Sequence, residues 1–311
     1  MRVAAWLLAG LALCASFMSA CGGSDAEEFP RVVTLGEGEI FVSITNSSLT
    51  IGPNRVSVRL TDDADEPVLG ADVSFRFFDL NDGDATPLAE TEASFVPVEL
   101  GYVDEQSGGT RETTGTDGVY VAAVAFPRAG DYGVKVDVLQ PAEDVIEVPF
   151  RFNVLERSSE PMIGGDAPRS THATLATSTA IEDIDSSSPP RPHMHDVTIA
   201  DAIARGRPSV IAFATPAYCL SRTCAPVMDT VMDPLFDRYS ERASFIHIEP
   251  YALDDLRAGF IQTPEPVTRE WGIQTEPWIF VVDAEGRVTA KFEGIAATEE
   301  VETALQDALA G

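Results

Sequence analysis

Lysine is nearly missing from this 311-residue chain. Lys135 and Lys291 are the only two, and all lysines and arginines together number 21 against 50 acidic residues, a formal charge of −29. Phosphate backbones are repelled by such a surface, which argues against nucleic acid as a partner. The same deficit leaves no polybasic stretch for docking on anionic lipid. Cysteine is scarce too: Cys14, Cys21, Cys219 and Cys224 are the four present. No zinc-type spacing, glycine-rich phosphate loop or Ser-His-Asp order stands out. Asp62, Asp63, Asp65 and Glu66 lack the spacing of a calcium loop and read as a polar turn. Beyond the N-terminal segment no apolar run is long enough to span a bilayer.

What is present at the N-terminus is a short apolar run, Val3 to Phe17, behind the single basic Arg2. It is too short to cross a membrane comfortably and reads as a signal segment. Met18-Ser19-Ala20-Cys21-Gly22-Gly23 comes next, then acidic Ser24-Asp25-Ala26-Glu27-Glu28. Small residues before a cysteine, then a polar stretch, resemble the lipobox of bacterial lipoproteins. The resemblance implies cleavage before Cys21 and acylation of its thiol, with the lipid membrane as a partner through that anchor. The alternative is an ordinary signal peptide cut near Ala20, leaving Cys21 free. On either reading Cys14 leaves with the signal. The expected location is the cell envelope, on the extracytoplasmic face, where disulfides persist.

The body divides by pattern. Residues 1–20 read as signal and 21–36 as a tether. Residues 37–157 alternate apolar and polar side chains, as in Arg55-Val56-Ser57-Val58-Arg59-Leu60, Val73-Ser74-Phe75-Arg76-Phe77 and Val134-Lys135-Val136-Asp137-Val138. Alternation of this kind marks strands with one buried face. Turn residues separate them at Gly52-Pro53-Asn54, Asp82-Gly83-Asp84 and Ala129-Gly130-Asp131, which predicts a β-sandwich. Thr114 to Tyr120 and Phe126 to Tyr132 resemble bacterial Ig-like modules, including the YtkA/FixH-like group, and imply an Ig-like fold. Residues 158–192 are rich in Ser, Thr, Pro and Ala and read as an interdomain linker, with Ile163 to Pro168 able to pack on the second domain. Residues 193–311 alternate strand and helix, predicting an α/β domain. Its strands are Ser209 to Thr215, Ala243 to Ile248, Trp278 to Val282 and Arg287 to Phe292. Helices are expected over Val197 to Arg205, Leu220 to about Ser240, Pro264 to Trp271 and Thr298 to about Leu309.

Cys219 and Cys224 lie where the first α/β strand turns into a helix. The orphan N–H groups and dipole of a helix N-terminus favour a thiolate at such a junction. Cys219, nearer the turn, is the expected nucleophile and Cys224 the resolving thiol. Tyr218 packs beside them and Arg222 adds positive potential. The spacing restricts the geometry. Five residues of regular helix separate Cα atoms by roughly 8.6 Å, whereas a disulfide needs less than about 7 Å. Both cysteines therefore cannot be helical and bonded at once. An inert disulfide that staples the helix start is the alternative to a redox pair.

The element order, the strand-turn-cysteine run, Pro226 after the second cysteine, and Thr275-Glu276-Pro277-Trp278-Ile279-Phe280-Val281-Val282-Asp283 together resemble the thioredoxin fold, in particular the TlpA- and ResA-related family. The resemblance covers roughly the last 115 residues. It implies a membrane-anchored thiol–disulfide oxidoreductase without cofactor, acting on an unidentified protein or small disulfide client. It further implies a cis bond between Glu276 and Pro277, with that loop binding the client's backbone. One departure matters: the family's C-x2-C is C-x4-C here. Some peroxiredoxins share that spacing, but Thr215 lies out of register with their P-x3-T-x2-C motif and Ala212 replaces the proline. Copper chaperones of the Sco group use C-x3-C with a histidine near the hairpin, and Phe280 to Asp283 lacks one. His193-Met194-His195 reads as a solvated linker segment, and His247 as a satisfied core histidine.

Overall fold

The computed structural model describes residue 29 and residues 40–104, 110–141, 144–259 and 261–311. The segment that resembles a lipobox, with Cys21, and Cys14 lie outside the described residues. Among the described residues no helix is long and apolar enough to cross a membrane.

The N-terminal half is a sandwich of two four-stranded antiparallel sheets. One sheet has the order β1 (Phe41–Ile44), β2 (Gly52–Thr61), β6 (Thr110–Phe126), β5 (Ser94–Asp104). The other runs β4 (Thr86–Glu92), β3 (Asp72–Asp79), β7 (Gly130–Leu139), β8 (Ile146–Val154). The alternating residues of the sequence supply the core between them: Val56, Val58 and Leu60 from β2, Val73, Phe75 and Phe77 from β3, and Val134, Val136 and Val138 from β7. Successive side chains of a strand point to opposite faces, so in β3 and β7 these valines and phenylalanines fill the core while Ser74, Arg76, Lys135 and Asp137 take the other face. Tyr132 is fully buried, and its hydroxyl donates to the Arg128 carbonyl at 2.9 Å, so the aromatic body fills the core without orphaning its polar end.

The C-terminal half is built on a mixed four-stranded sheet of order β10 (Ser244–Ile248), β9 (Ser209–Phe213), β11 (Trp278–Val282), β12 (Val288–Glu293). β10 is parallel to β9; β11 is antiparallel to β9 and to β12. Every residue of β9 and β11 is buried because both faces of the sheet are covered. Val210, Ala212, Ile279 and Val281 meet α2 (Cys224–Val227), α3 (Asp233–Tyr239) and α6 (Thr298–Ala310) through Val227, Leu235, Val301 and Leu305. On the opposite face Ile211, Phe213, Phe280 and Val282 meet Ile199 and Ile203 of α1 (Ile199–Ala204) and Val267 of α5 (Pro266–Glu270). The helix α4 (Leu253–Gly259) was not anticipated from the sequence.

Between α2 and α3 lies one π-helical stretch, Met228–Met232. Pro234 has no N–H to give to the carbonyl of Thr230, and that carbonyl instead accepts the Thr298 hydroxyl of α6 at 2.7 Å. The interruption is thus satisfied from the neighbouring helix rather than left open.

Residues 158–192 are a packed strap on the α/β unit. Gly164 donates to the Val288 carbonyl at 2.7 Å, Val288 to the Gly165 carbonyl at 2.9 Å, and Asp166 bridges Arg287. Arg191, buried, forms ion pairs with Asp233 and Asp229. Gly272, with φ of 62°, ends α5 and lies so close to the strap that a Cβ there would stand 2.1 Å from the Ser159 carbonyl. Composition misses this packing because its anchors are backbone bonds and single polar side chains, which leave no apolar period.

The two halves are joined by polar bonds around a small apolar patch. Arg55 of β2 makes a bidentate pair with Glu300 of α6, at 2.7 and 2.9 Å, and also donates to the Ile295 carbonyl. The Ser47 amide donates to Glu293 at 2.7 Å, and Glu160 accepts from both Ser48 and Lys291. Val96, Val119 and Val121, on the outer face of the sandwich, pack against Ile295 and Ala297.

Candidate functional site

Helix α2 starts at Cys224 itself, so residues 219–223 form the turn that leads into it. The Arg222 amide donates to the Cys219 carbonyl at 3.1 Å, and Arg222 adopts a φ of 60° to close the turn. With Cys219 outside the helix, the two Cα atoms are 5.9 Å apart and the sulfurs are bonded. The geometric conflict between helix and disulfide is resolved by a non-helical first turn. Pro226 falls in the first turn of α2, where no donor is needed.

The two sulfurs differ in surroundings. Cys224 is fully buried against Val227, Ile279 and the rest of the helix-side core. Cys219 is partly buried, and its sulfur accepts the Cys224 amide at 3.3 Å and lies 3.1 Å from the Ser221 hydroxyl. The Cys224 N–H directed at the Cys219 sulfur stabilises negative charge there once the bond is reduced. Tyr218, half-buried, precedes it on the loop, and Arg222 is exposed at the rim.

The loop before β11 supplies the third group. The Glu276–Pro277 bond is cis. One carboxylate oxygen of Glu276 and both sulfurs lie within 4.8 Å of one another. Burial pushes the Glu276 pKa up to about 7, although Thr215 beside it acts in the opposite direction. The resemblance to the thioredoxin fold implies for Glu276 only a place in a client-binding loop; its carboxyl lies near both sulfurs because the residue precedes β11, which pairs with β9. Nothing in the local sequence signals that approach.

A groove of about 660 Å³ lies beside the turn between the cysteines, walled by Leu220, Arg222 and Glu276 on one side and by Arg59, Asp117 and Val119 of the sandwich on the other. Leu220, next to Cys219, is 72% exposed.

A second polar cluster carries no local sequence signal. His195, read as solvated, is buried, and so are His247 and Asp185. The Nε2 of His247 donates to the Ala214 carbonyl at 2.9 Å, while its Nδ1 has no hydrogen-bond partner. His247 is therefore only half satisfied, and burial pushes its pKa down to about 4. Glu249, also buried, accepts the Ser186 amide at 2.6 Å. Burial, with the Asp185 and Glu276 charges in the same sense, pushes its carboxyl well above the usual range. His193, in contrast, is exposed, with its ring 4.2 Å from that of Phe236. The strap turns His195 inward, a consequence of tertiary packing that an H-x-H pattern does not encode.

Neither a protein-family model nor a curated protein matches the sequence. Among solved structures, a DUF4426-family protein from Pseudomonas aeruginosa is 14% identical and covers 40% of this chain and 97% of its own, with a TM-score of 0.26. CopC from Methylosinus trichosporium is 17% identical over 39% of this chain and 98% of its own, at a TM-score of 0.22. A copper-bound variant of FetP from uropathogenic Escherichia coli is 10% identical over 40% of this chain and 96% of its own, at a TM-score of 0.25.

Proposed function

We propose that this chain is a lipid-anchored, extracytoplasmic thiol–disulfide oxidoreductase whose C-terminal unit is a thioredoxin-like domain and whose sandwich is an Ig-like module beside it. The observation that carries the reading is the disulfide at the β9–α2 junction with the Glu276 carboxyl within 4.8 Å of both sulfurs. The strand order of the α/β sheet, with β10 parallel to β9 and β11 antiparallel to β9 and to β12, supports the thioredoxin-like assignment. The client is a protein or small-molecule disulfide that enters the groove beside Leu220. No cofactor is required.

In the reducing direction the Cys219 thiolate attacks one sulfur of the client disulfide. The client S–S bond breaks, a mixed disulfide forms, and the first client thiolate leaves and takes a proton from solvent. Glu276 then accepts the proton of the Cys224 thiol. The Cys224 thiolate attacks the Cys219 sulfur, and the second client thiolate departs with the proton held by Glu276. Two electrons pass from the protein dithiol to the client disulfide, and the protein disulfide forms. A carboxyl with a pKa near 7 can both take and return that proton at neutral pH.

A redox titration with thiol alkylation tests the proposal. An exchange-competent pair has a potential above about −300 mV and turns over a model disulfide. A lower potential with no turnover would identify a structural staple and overturn the enzyme reading. In the reduced protein, Cys219→Ser removes the fast-alkylating thiol, whereas Cys224→Ser leaves one. Equal, slow reactivity of both thiols would remove the assigned roles.

A further inference from the structure

We propose that Asp185, His195 and His247 form a binding site for a divalent first-row transition metal ion, distinct from the cysteine pair. The three residues are brought together by tertiary structure. Asp185 and His195 lie on the strap and just after it, and His247 lies on β10. One ligand atom from each sits within 4.8 Å of the others, and all three side chains are buried.

Hydrogen bonding separates this cluster from an ordinary buried network. The Nε2–H of His247 is committed to the Ala214 carbonyl, which turns Nδ1 toward Asp185. Nδ1 is 3.6 Å from Asp185 Oδ1, too long for a hydrogen bond. The Nε2 of His195, 3.3 Å from Asp185 Oδ2, makes no hydrogen bond either. Two buried imidazole nitrogens therefore face one carboxylate with no hydrogen bond between them. A buried polar atom without a partner is costly, and a cation held between these atoms satisfies all of them at once.

The spacing leaves room for an ion. His195 Nε2 lies 3.3 Å from Asp185 Oδ2 and His247 Nδ1 3.6 Å from Asp185 Oδ1, near the roughly 3.3–3.4 Å that separates two ligands of a tetrahedral ion at 2.0–2.1 Å. The supporting contacts are those a metal site uses. The ring N–H opposite the ligating nitrogen of His247 is held by a backbone carbonyl. Both carboxylate oxygens of Asp185 accept backbone amides, from Ser187 at 2.7 Å and Arg191 at 2.6 Å. A cavity of about 230 Å³, lined by His195, His247, Glu249 and Tyr251, gives access and leaves room for a further ligand. His172 lines the same cavity but is already engaged at both ring nitrogens, with Ala173 and Ile199. Two imidazoles and a carboxylate suit Zn²⁺ and its first-row neighbours better than Ca²⁺ or Mg²⁺.

The test is equilibrium dialysis of Zn²⁺ against the chelator-treated full chain with its disulfide intact, repeated with Co²⁺ and its visible spectrum. One ion per chain is expected, with Co²⁺ giving ligand-field bands and no sulfur charge-transfer band. His195→Gln and Asp185→Asn should each weaken Zn²⁺ binding tenfold or more with unchanged circular dichroism, and Cys219→Ser/Cys224→Ser should bind as the parent does. Should those site variants fail to fold, a rise in the parent's thermal midpoint with Zn²⁺, together with the sulfur-free Co²⁺ spectrum, tests the site without them. Substoichiometric binding by the parent, loss of binding on removal of the cysteines, or full binding by folded site variants each overturns the proposal. None of these outcomes bears on disulfide exchange at Cys219.

Discussion

Glu276 binds its proton more tightly in the folded chain than in the unfolded one, because burial raises its pKa from 4.5 to about 7. Below about pH 4.5 both states are protonated and the residue is neutral for stability. As pH rises through the interval to 7 the unfolded state ionises first, and the residue becomes a cost that is complete above 7. A shift of this size corresponds to at most about 3–4 kcal/mol. Glu276→Gln is therefore expected to raise stability by about 1–3 kcal/mol at pH 8 and to leave it unchanged at pH 4, as read from denaturant midpoints. The same substitution should slow turnover of a model disulfide at least tenfold and remove an inflection near pH 7 from the rate profile. Gain of stability without loss of rate would make Glu276 a burden of the fold and not a proton carrier.

The turn at 219–223 and helix α2 form the element on which the redox state acts. While the sulfurs are bonded, Cys219 is held outside the helix and the Cys224 amide points at its sulfur. Reduction frees the turn, so amide exchange should rise several-fold across 219–227 and stay unchanged in β9. The bridged residues are 5 apart in sequence, which makes the closed loop short. The loss of chain entropy in the unfolded state gives such a bridge about 2 kcal/mol. Cys219→Ser/Cys224→Ser should lower unfolding free energy by about that amount and no more. A loss above about 4 kcal/mol would show that the bridge is chiefly structural.

Across the whole molecule, the sandwich and the α/β unit meet at the groove beside the turn between the cysteines. The Arg55–Glu300 pair is bidentate and mostly shielded, with side-chain exposures of 15% and 31%. A double-mutant cycle with Arg55→Ala and Glu300→Ala is expected to give a coupling energy of about 1–2 kcal/mol. A coupling near zero would mean that the apolar patch of Val96, Val119, Val121 and Ile295 and the remaining polar bonds hold the halves together without this pair. Lys291, one of two lysines in the chain, spans the same boundary by binding Glu160 of the strap, itself bonded to Ser48 of the sandwich.

Strands β2, β3 and β7 were legible because period-two alternation follows from the pleat. The buried β9 and β11 were legible as apolar runs, and the hairpin around Asp283 to Gly286 was legible from its turn residues. The five-residue separation of Cys219 and Cys224 already excluded a helical pair that is also bonded, and the bonded sulfurs of the structure decide for a non-helical first turn. By itself, then, the sequence determined the strands, the cysteine junction and the acidic surface, all of which depend on neighbours in the chain. Only the tertiary structure decided that Glu276 faces the disulfide and that the Ser/Thr/Pro-rich strap packs. It alone turned His195 inward to meet Asp185 and His247. These are encounters between residues distant in sequence, fixed by where strands end and how a polar strap hydrogen-bonds to a sheet, and no local period records them.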